Sequence, residues 1–195
     1  MSRFEFQSTS MEGLRVISPL FIPDQRGYFS KSFERVIFAK HGIYFEPFEE
    51  IETCSACNTL RGLHFQRRHS QDKLVRVLSG EIFDVAVDLR PQSETFGKWQ
   101  GFVLSAGNRK ELYLPKGFGH GFLAREDDTV VHYLCGDKYD PESEDGILWN
   151  DPDLDISWPL KAGTLPMLSK RDQGFQTFQK FRRTLLKEVG GDKNG

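Results

Sequence analysis

Several features that mark particular classes of protein are scarce in this sequence. Only three of its 195 residues are cysteine. This odd, low count does not describe a disulfide framework and favours a reducing compartment. Lys and Arg number 26 against 28 Asp and Glu, giving a formal net charge of −2. The missing basic excess argues against a nucleic-acid-binding protein and against attachment to membranes through a polybasic surface.

Long hydrophobic runs are also missing. The longest apolar stretch lies near residues 16–23, far short of the ~20 residues that span a bilayer. The chain starts Met-Ser-Arg-Phe-Glu-Phe-Gln, without the apolar region of a secretory signal. We therefore expect a soluble, cytoplasmic protein with no membrane partner.

Phenylalanine is the abundant residue type, with 17 copies against 3 Met and 3 Trp. Rings at this density predict a core of packed aromatic faces, or a pocket lined by them. The length fits a single domain.

Residues 44–150 contain short runs rich in Val, Phe, Tyr and Leu, separated by clusters of Gly, Pro, Asn and Asp. This spacing predicts an antiparallel sandwich or barrel rather than alternating strands and helices. The predicted strands are Lys73–Leu78, Glu81–Leu89, Trp99–Ser105, Glu111–Leu114, His120–Ala124 and Val130–Cys135.

Alternation within two of these strands places polar groups beside apolar ones. Lys73 shares a face with Val75 and Val77, and Tyr133 shares one with Val131. If those faces point inward, a lysine and a tyrosine enter the mouth of the barrel.

The C-terminal part has a different pattern. Apolar residues recur every three or four positions from Phe175 to Val189, which predicts an amphipathic helix stopped by Gly190 and Gly191. We expect it to pack on the outside of the barrel or on a partner subunit. The predicted division is a single domain over 1–195, with an N-terminal arm at about 1–43, a jelly roll at about 44–160 and a C-terminal helical segment at about 172–190.

Cys54-Ser-Ala-Cys57 is the first motif that could carry chemistry. Such a pair can be a redox motif or half of a zinc site. No second pair of metal ligands follows at zinc spacing, and Asn58-Thr-Leu-Arg-Gly follows where a redox motif starts a helix. We interpret both cysteines as small packing residues.

Two further motifs, Arg61-Gly-Leu-His-Phe-Gln66 and Leu114-Pro-Lys-Gly-Phe-Gly-His-Gly-Phe122, resemble the two halves of a cupin, a double-sheet jelly roll. Metal cupins have a second His where this chain has Gln66, and a carboxylate where it has Lys73. A protonated lysine repels a divalent metal and offers it no lone pair. The sequence therefore predicts a barrel without metal, whose catalysis depends on acid–base groups.

Three residues could together invert a carbon next to a carbonyl. His64 can take a proton near neutral pH, Tyr133 can return one from the other face, and Lys73 can stabilise the enolate oxygen. Each residue alone is more often structural: a bonded core histidine, a solvated lysine or a packed tyrosine. Only their occurrence together favours a catalytic site.

The chain resembles the dTDP-4-dehydrorhamnose 3,5-epimerase family from about Gly13 to Asp172. The motifs that carry the resemblance are Asp24-Gln-Arg-Gly-Tyr-Phe29, Leu60-Arg-Gly-Leu-His-Phe-Gln66, the run Lys73–Arg90, Thr95-Phe-Gly-Lys-Trp99, Pro115-Lys-Gly-Phe-Gly-His-Gly-Phe122, Ile147-Leu-Trp-Asn-Asp-Pro152 and Leu168-Ser-Lys-Arg-Asp172.

The resemblance implies a mainly β, cupin-type homodimer with a few peripheral helices, without metal or cofactor. It implies an isomerase that converts dTDP-4-dehydro-6-deoxy-D-glucose to dTDP-4-dehydro-L-rhamnose. His64 would abstract the C3 and C5 protons, Asp172 would pair with it, Lys73 would bind the enolate oxygen, and Tyr133 would protonate the opposite face. The residues implied to hold the substrate are Arg61, His120, Arg171, Tyr139, Arg26, Phe29 and Glu49, with Arg26 and Phe29 donated from the partner subunit.

Three positions depart from the family's usual pattern. Lys31 stands where the family commonly has Glu, and Glu49 and Ile51 stand where it usually has Gln and Asn. A C3-only epimerase, or one acting on a different nucleotide keto-sugar, is therefore the alternative. A non-catalytic sugar-binding cupin and a metal-dependent oxygenase are the alternatives from other functional classes.

Overall fold

A computed structural model describes residues 3–191 of the chain, with side chains up to residue 185. The β-strands are β1 (Glu5–Ser8), β2 (Arg15–Ser18), β3 (Leu20–Asp24), β4 (Gly27–Lys31), β5 (Glu49–Ser55), β6 (Leu60–Gln66), β7 (Lys73–Ser79), β8 (Glu81–Asp88), β9 (Trp99–Ser105), β10 (Glu111–Leu114), β11 (Phe118–Ala124), β12 (Thr129–Cys135) and β13 (Glu144–Gly146). The helices are α1 (Arg35–Lys40) and α2 (Phe178–Gly191), and a 3-10 turn spans Asp172–Gly174.

Two antiparallel sheets form the body of the molecule. The larger sheet has the strand order β1-β2-β10-β7-β12-β5, and the smaller one has the order β13-β6-β11-β8-β9. Neighbouring strands in both sheets are often far apart in sequence, as a double-sheet jelly roll requires. The prediction of a mainly β, cupin-type fold with few helices is therefore confirmed. Strands β3 and β4 form a separate hairpin.

Most of the predicted strands match the structure closely. β9 and β10 have the predicted ends, and β7, β8, β11 and β12 differ from prediction by one or two residues at an end. The N-terminal region holds strands that the prediction lacked, since β1 and β2 join the larger sheet. The boundary between the predicted arm and the jelly roll accordingly stays a prediction.

An apolar core fills the space between the two sheets. Inward positions of β7 and β10 meet inward positions of β8 and β11 from the other sheet, so each strand contributes every second residue. Its fully buried members include Val75, Leu112, Ile82, Ala86, Leu104 and Ala124.

The helices cover the outer faces of the sheets. Phe178 and Phe181 of α2 pack with Leu63 and Phe65 on the smaller sheet, so the helix lies on the outside of the barrel, one of its two predicted places. The helix reaches Gly191, within the glycine pair predicted to stop it, whereas Phe175 precedes it. The side chain of Val189 lies outside the described residues.

Aromatic packing is densest over the larger sheet. Phe38 of α1 is fully buried and makes edge-on ring contacts to Phe4, Phe6 and Phe33. The prediction that the phenylalanines build packed aromatic clusters is confirmed there. Within residues 3–191, no helix is both long and apolar enough to cross a membrane.

Candidate active site

A cavity of about 260 Å³ opens between the two sheets. Its walls combine cations, two imidazoles, two phenols and a carboxylate with a few apolar side chains. The residues lining it are Ile51, Thr53, Arg61, His64, Phe65, Gln66, Gln71, Lys73, His120, Phe122, Tyr133, Cys135, Tyr139, Glu144 and Arg171. Six of the predicted site residues are therefore brought together with Lys73 at one end of the barrel.

His64 enters the cavity from β6 and is held by a carboxylate from far along the chain. Its Nε2 lies 2.7 Å from Oδ1 of Asp172, which is nearly inaccessible to solvent. Burial opposes ionisation of this carboxyl, but its interactions with His64 and Ser169 lower the pKa of Asp172. The ionised carboxylate fixes the imidazole with its proton on Nε2, which leaves Nδ1 as the basic nitrogen.

The ring of His64 is also fixed by packing. Phe175 meets it edge-on at 5.3 Å between ring centroids. The backbone N–H of Asp172 donates to Oγ of Ser169 at 3.0 Å, which anchors the 3-10 turn. The imidazole thus has one bonded nitrogen, one packed face and one orientation.

Lys73 and Tyr133 reach the same cavity from the larger sheet. Lys73 starts β7, and Tyr133 lies on the adjacent strand β12, opposite Val75. Alternation along both strands points these side chains inward, as the sequence predicts. Burial lowers the pKa of Lys73 and strongly raises the pKa of Tyr133, because both charged forms lose hydration there. The phenol is therefore neutral, and the amine is closer to proton exchange than an exposed lysine.

His120 faces His64 across the paired strands β6 and β11. Its Nε2 lies 2.8 Å from Oδ2 of Asp84, and both side chains are almost fully buried. Asp84 shares the inward face of β8 with Ile82 and Ala86, so its carboxylate needs this polar partner.

Two glycines let the strands that carry the histidines approach each other. Gly62 has φ +133°, and a Cβ there would lie 2.5 Å from Cα of Gly121. A Cβ on Gly121 would lie 2.8 Å from the carbonyl oxygen of Arg61. Any side chain at either position would separate β6 from β11 and move both imidazoles.

Cationic groups lie at the edge of the cavity. Arg61 donates from Nε to Oγ of Ser55 at 3.1 Å and from Nη2 to the carbonyl of Cys54 at 3.2 Å. Glu144 accepts hydrogen bonds from both Arg171 and the hydroxyl of Tyr139. Both guanidinium groups are thus oriented, a condition for recognising an anion such as a diphosphate.

Three residues implied to bind the substrate do not line this cavity. Glu49 lies just outside it, where its carboxylate accepts the backbone N–H of Tyr139 at 2.7 Å. Arg26 and Phe29 lie on the exposed β3–β4 hairpin, and Arg26 pairs with Asp24 at 2.6 Å. Any role for the hairpin residues stays a prediction that requires a second subunit.

Sequence reasoning missed several residues of the site. Asp84 carried a detectable signal, since a carboxylate on an otherwise apolar strand face requires a partner. No sequence signal marks Glu144, because the position of this residue depends on the pairing of β13 with a strand about 80 residues earlier. Thr53 and Cys135 look like ordinary strand residues until β5 and β12 are paired.

The two cysteines of the Cys54–Cys57 motif do not behave alike. Both are free thiols; Cys54 is exposed and Cys57 is half-buried. The interpretation of both as packing residues is thus wrong for Cys54. In the part of the chain that the structure describes, no group of three or more His, Cys, Asp or Glu could hold a metal ion. The absence of a metal and of a cofactor remains a prediction.

Comparison with known proteins identifies the family. The family model described as dTDP-4-dehydrorhamnose 3,5-epimerase matches residues 8–180. A relative of that name from Methanothermobacter thermautotrophicus is 46% identical over 90% of this chain and 95% of its own. The chain belongs to the dTDP-4-dehydrorhamnose 3,5-epimerase family. The members of this family are isomerases, so the chain is an epimerase-type enzyme by descent.

Solved structures of similar proteins include two with different names. An epimerase from Legionella pneumophila in complex with dTDP-4-keto-L-rhamnose has a TM-score of 0.89 and 38% identity, covering 94% of this chain and 97% of its own. A 3'-monoepimerase from Streptomyces bikiniensis in complex with dTDP-quinovose has a TM-score of 0.85 and 33% identity, covering 91% and 90%. The fold is therefore common to epimerases described by both names.

Proposed function

We propose that this chain inverts C3 and C5 of a dTDP-linked 4-keto-6-deoxyhexose, converting dTDP-4-dehydro-6-deoxy-D-glucose to dTDP-4-dehydro-L-rhamnose. One observation carries the proposal: the His64–Asp172 pair and Tyr133 enter one cavity from opposite sheets, with Lys73 beside them. The family membership of the chain supports the same activity.

His64 acts as the base. The protons at C3 and C5 are acidic because both carbons neighbour the C4 ketone, so one imidazole can serve both when the sugar presents each carbon in turn. Asp172 orients the ring and stabilises the imidazolium that forms. Positioned proton transfer of this kind contributes roughly 10² to 10⁴ in rate.

Lys73 stabilises the enolate. Proton removal places negative charge on the C4 oxygen, and the Lys73 amine is the cationic group that lines the cavity from β7. A donor aimed at a developing oxyanion in a water-poor site contributes about 3–4 kcal/mol to the transition state.

Tyr133 returns the proton from the other side. It comes from the larger sheet and His64 from the smaller one, so a sugar ring between them has one group on each face. Inversion requires this opposition, because a base that returned its own proton would restore the original configuration.

The substrate's anionic part is bound by the cations at the edge of the cavity. Arg61 and Arg171 suit a diphosphate because the guanidinium fork matches phosphate oxygens. His120 contacts the sugar, and Tyr139 packs near the nucleoside. We propose a homodimer in which Arg26 and Phe29 of a second copy complete the nucleoside site, since both are exposed on the β3–β4 hairpin.

The departures from the family pattern leave the four acid–base residues themselves in place. Ile51 lines the cavity and supplies no hydrogen bond there. Glu49 is already bonded to the backbone of Tyr139. Lys31 pairs with Glu34 at 2.8 Å. A C3-only epimerase, or one acting on another nucleotide keto-sugar, is the second candidate; Ile51 and the similarity to a 3'-monoepimerase favour it.

Proton NMR of a small panel of nucleotide 4-keto-sugars in D₂O tests the proposal. Deuterium at both C3 and C5 of the dTDP sugar, with the L-configured product, supports the 3,5-epimerase. Deuterium at C3 alone supports the second candidate. No exchange with any member of the panel would contradict both and favour a non-catalytic binding cupin. Exchange that depends on a stoichiometric metal ion would contradict the metal-free chemistry.

A further inference from the structure

Thr53 has a buried hydroxyl group without a hydrogen bond of ordinary length. Its Oγ1 is shielded from solvent and has no hydrogen-bond partner within 3.5 Å. Three other buried side-chain atoms in the described part of the chain share this condition, on Asp72, Arg76 and Glu111. Thr53 alone among the four lines the catalytic cavity. A buried hydroxyl without a short hydrogen bond is costly, which points to a bond that tightens during turnover.

The group that could form this bond is the phenol of Tyr133. On the paired strands β5 and β12, Thr53 lies opposite Val131 and Ile51 lies opposite Tyr133. Thr53 and Tyr133 are therefore diagonal neighbours on the inward face, within reach of each other. The two groups already interact across a longer hydrogen-bonding contact, which lowers the pKa of Tyr133 against the larger, opposite effect of burial.

Other groups around the phenol are less suited to receive its charge. The Asp84 carboxylate and the Cys135 thiol both disfavour a phenolate. The Arg61 guanidinium favours one, but two of its nitrogens already bond Ser55 and Cys54. His120 meets the phenol ring edge-on at 6.0 Å, and its Nε2 is bonded to Asp84. The hydroxyl of Thr53 is the neighbouring donor that makes no short hydrogen bond to another group.

We propose that Thr53 is a positioning residue whose hydroxyl donates a hydrogen bond to Tyr133 Oη as that oxygen gives its proton to the sugar. In this step the phenol O–H bond breaks and a C–H bond forms at the inverting carbon. The enolate's electrons supply the new bond, the C4 ketone re-forms, and the negative charge passes to Tyr133, which later regains a proton from water. The inference rests on the proposed epimerase function.

Comparison of Thr53→Val with Thr53→Ser tests this role, because valine keeps the shape and removes the hydroxyl whereas serine keeps it. A hydrogen bond to a charged group corresponds to about tenfold to hundredfold in rate. We expect Thr53→Val to lose roughly that much net epimerisation in D₂O while deuterium exchange on the His64 face falls by less than about threefold. Thr53→Ser should recover epimerisation to within about threefold of the unmodified chain.

Glu52→Gln is the matched control, since Glu52 is the next residue on β5, exposed and pointing outward. This substitution should change neither the rate of net epimerisation nor the rate of deuterium exchange. Circular dichroism and thermal unfolding report folding of each variant, and Thr53→Ala replaces Thr53→Val in the comparison if the valine variant does not fold.

Two outcomes would overturn the inference. One is a hydroxyl-free variant that epimerises at the unmodified rate. The other is an equal loss of exchange and epimerisation, which would indicate a general effect on binding or structure. Absence of both reactions in the unmodified chain is a different result, since it would reject the proposed function itself.

Discussion

The interior of the barrel has two ends built from the same strands but filled differently. At one end β7 and β12 place Lys73 and Tyr133 in the cavity; further along the same inward faces they place Val77 and Val131 in the apolar core. At the apolar end, the side chains are stabilised by packing against one another. The cavity end keeps an amine, a phenol and a hydroxyl desolvated without full partners, an arrangement that costs stability and suits transition-state charge. The comparison indicates that packing supplies the rigidity on which the unpaired groups depend.

Removing the base should give the largest effect. We expect His64→Ala to lower exchange at every carbon by at least about 10³-fold, since His120, the other imidazole that lines the cavity, is paired with the buried Asp84. Exchange in D₂O followed by NMR measures this. His132→Ala is the matched control, because His132 lies on the outward face of β12 and bonds Glu50. Substantial residual exchange in His64→Ala would assign the base elsewhere.

A truncation at the apolar end should show the opposite pattern. Leu112 is fully buried between the sheets, so Leu112→Ala should lower the free energy of unfolding by about 2–5 kcal/mol. Urea unfolding measures the loss, and the rate per folded molecule should stay near that of the unmodified chain. A large loss of activity in the folded fraction would show that the two ends are not separable.

Replacing the acid should separate two rates that His64→Ala lowers together. In Tyr133→Phe the base still removes protons but nothing returns them on the far face. We expect net epimerisation to fall about tenfold to hundredfold more than solvent exchange. Parallel NMR measurements of configuration and deuterium content give the ratio. An equal loss of both would contradict the placement of Tyr133 opposite the base.

The smallest effect concerns a buried carboxyl outside the cavity. Glu111 lies on the outward face of β10, where burial raises its pKa from the usual 4.5 to about 8, against the attraction of Arg76. The folded state holds a proton that the unfolded chain has released, so stability falls as the pH rises from about 4.5 to about 8. Between pH 6 and 7 the loss is about 1 kcal/mol.

Urea unfolding at several pH values checks this dependence. Glu111→Gln places a neutral amide at the same position and should flatten the slope between pH 6 and 7 while leaving epimerisation unchanged. An unaltered slope in this variant would mean that another group titrates.

Sequence reasoning recovered those parts of the structure whose signals are local. Alternation and flanking turn residues predicted both ends of β9 and of β10 correctly. The same alternation predicted that the side chains of Lys73 and Tyr133 point inward. The resemblance to a family, and not any spacing, paired His64 with Asp172. The prediction stopped where contacts are long-range: β1 and β2 are short and become strands by pairing with each other and with β10.

The edge of the cavity was less predictable than its centre for the same reason. Glu144 orients both Arg171 and Tyr139 only because β13 pairs with β6. The hydroxyl of Thr53 stands out only because it is buried without a short hydrogen bond. No sequence pattern predicts that property.

The distance along the chain between His64 and Asp172, the proposed catalytic pair, has a consequence for how the protein is made. Asp172 follows His64 by 108 residues and comes after every strand of both sheets. A growing chain on the ribosome can therefore complete its barrel while the imidazole still lacks its carboxylate. The proposed base acquires its orientation only when the segment that carries Asp172 emerges and docks, so the proton-abstracting ability that we assign to His64 is acquired late in synthesis.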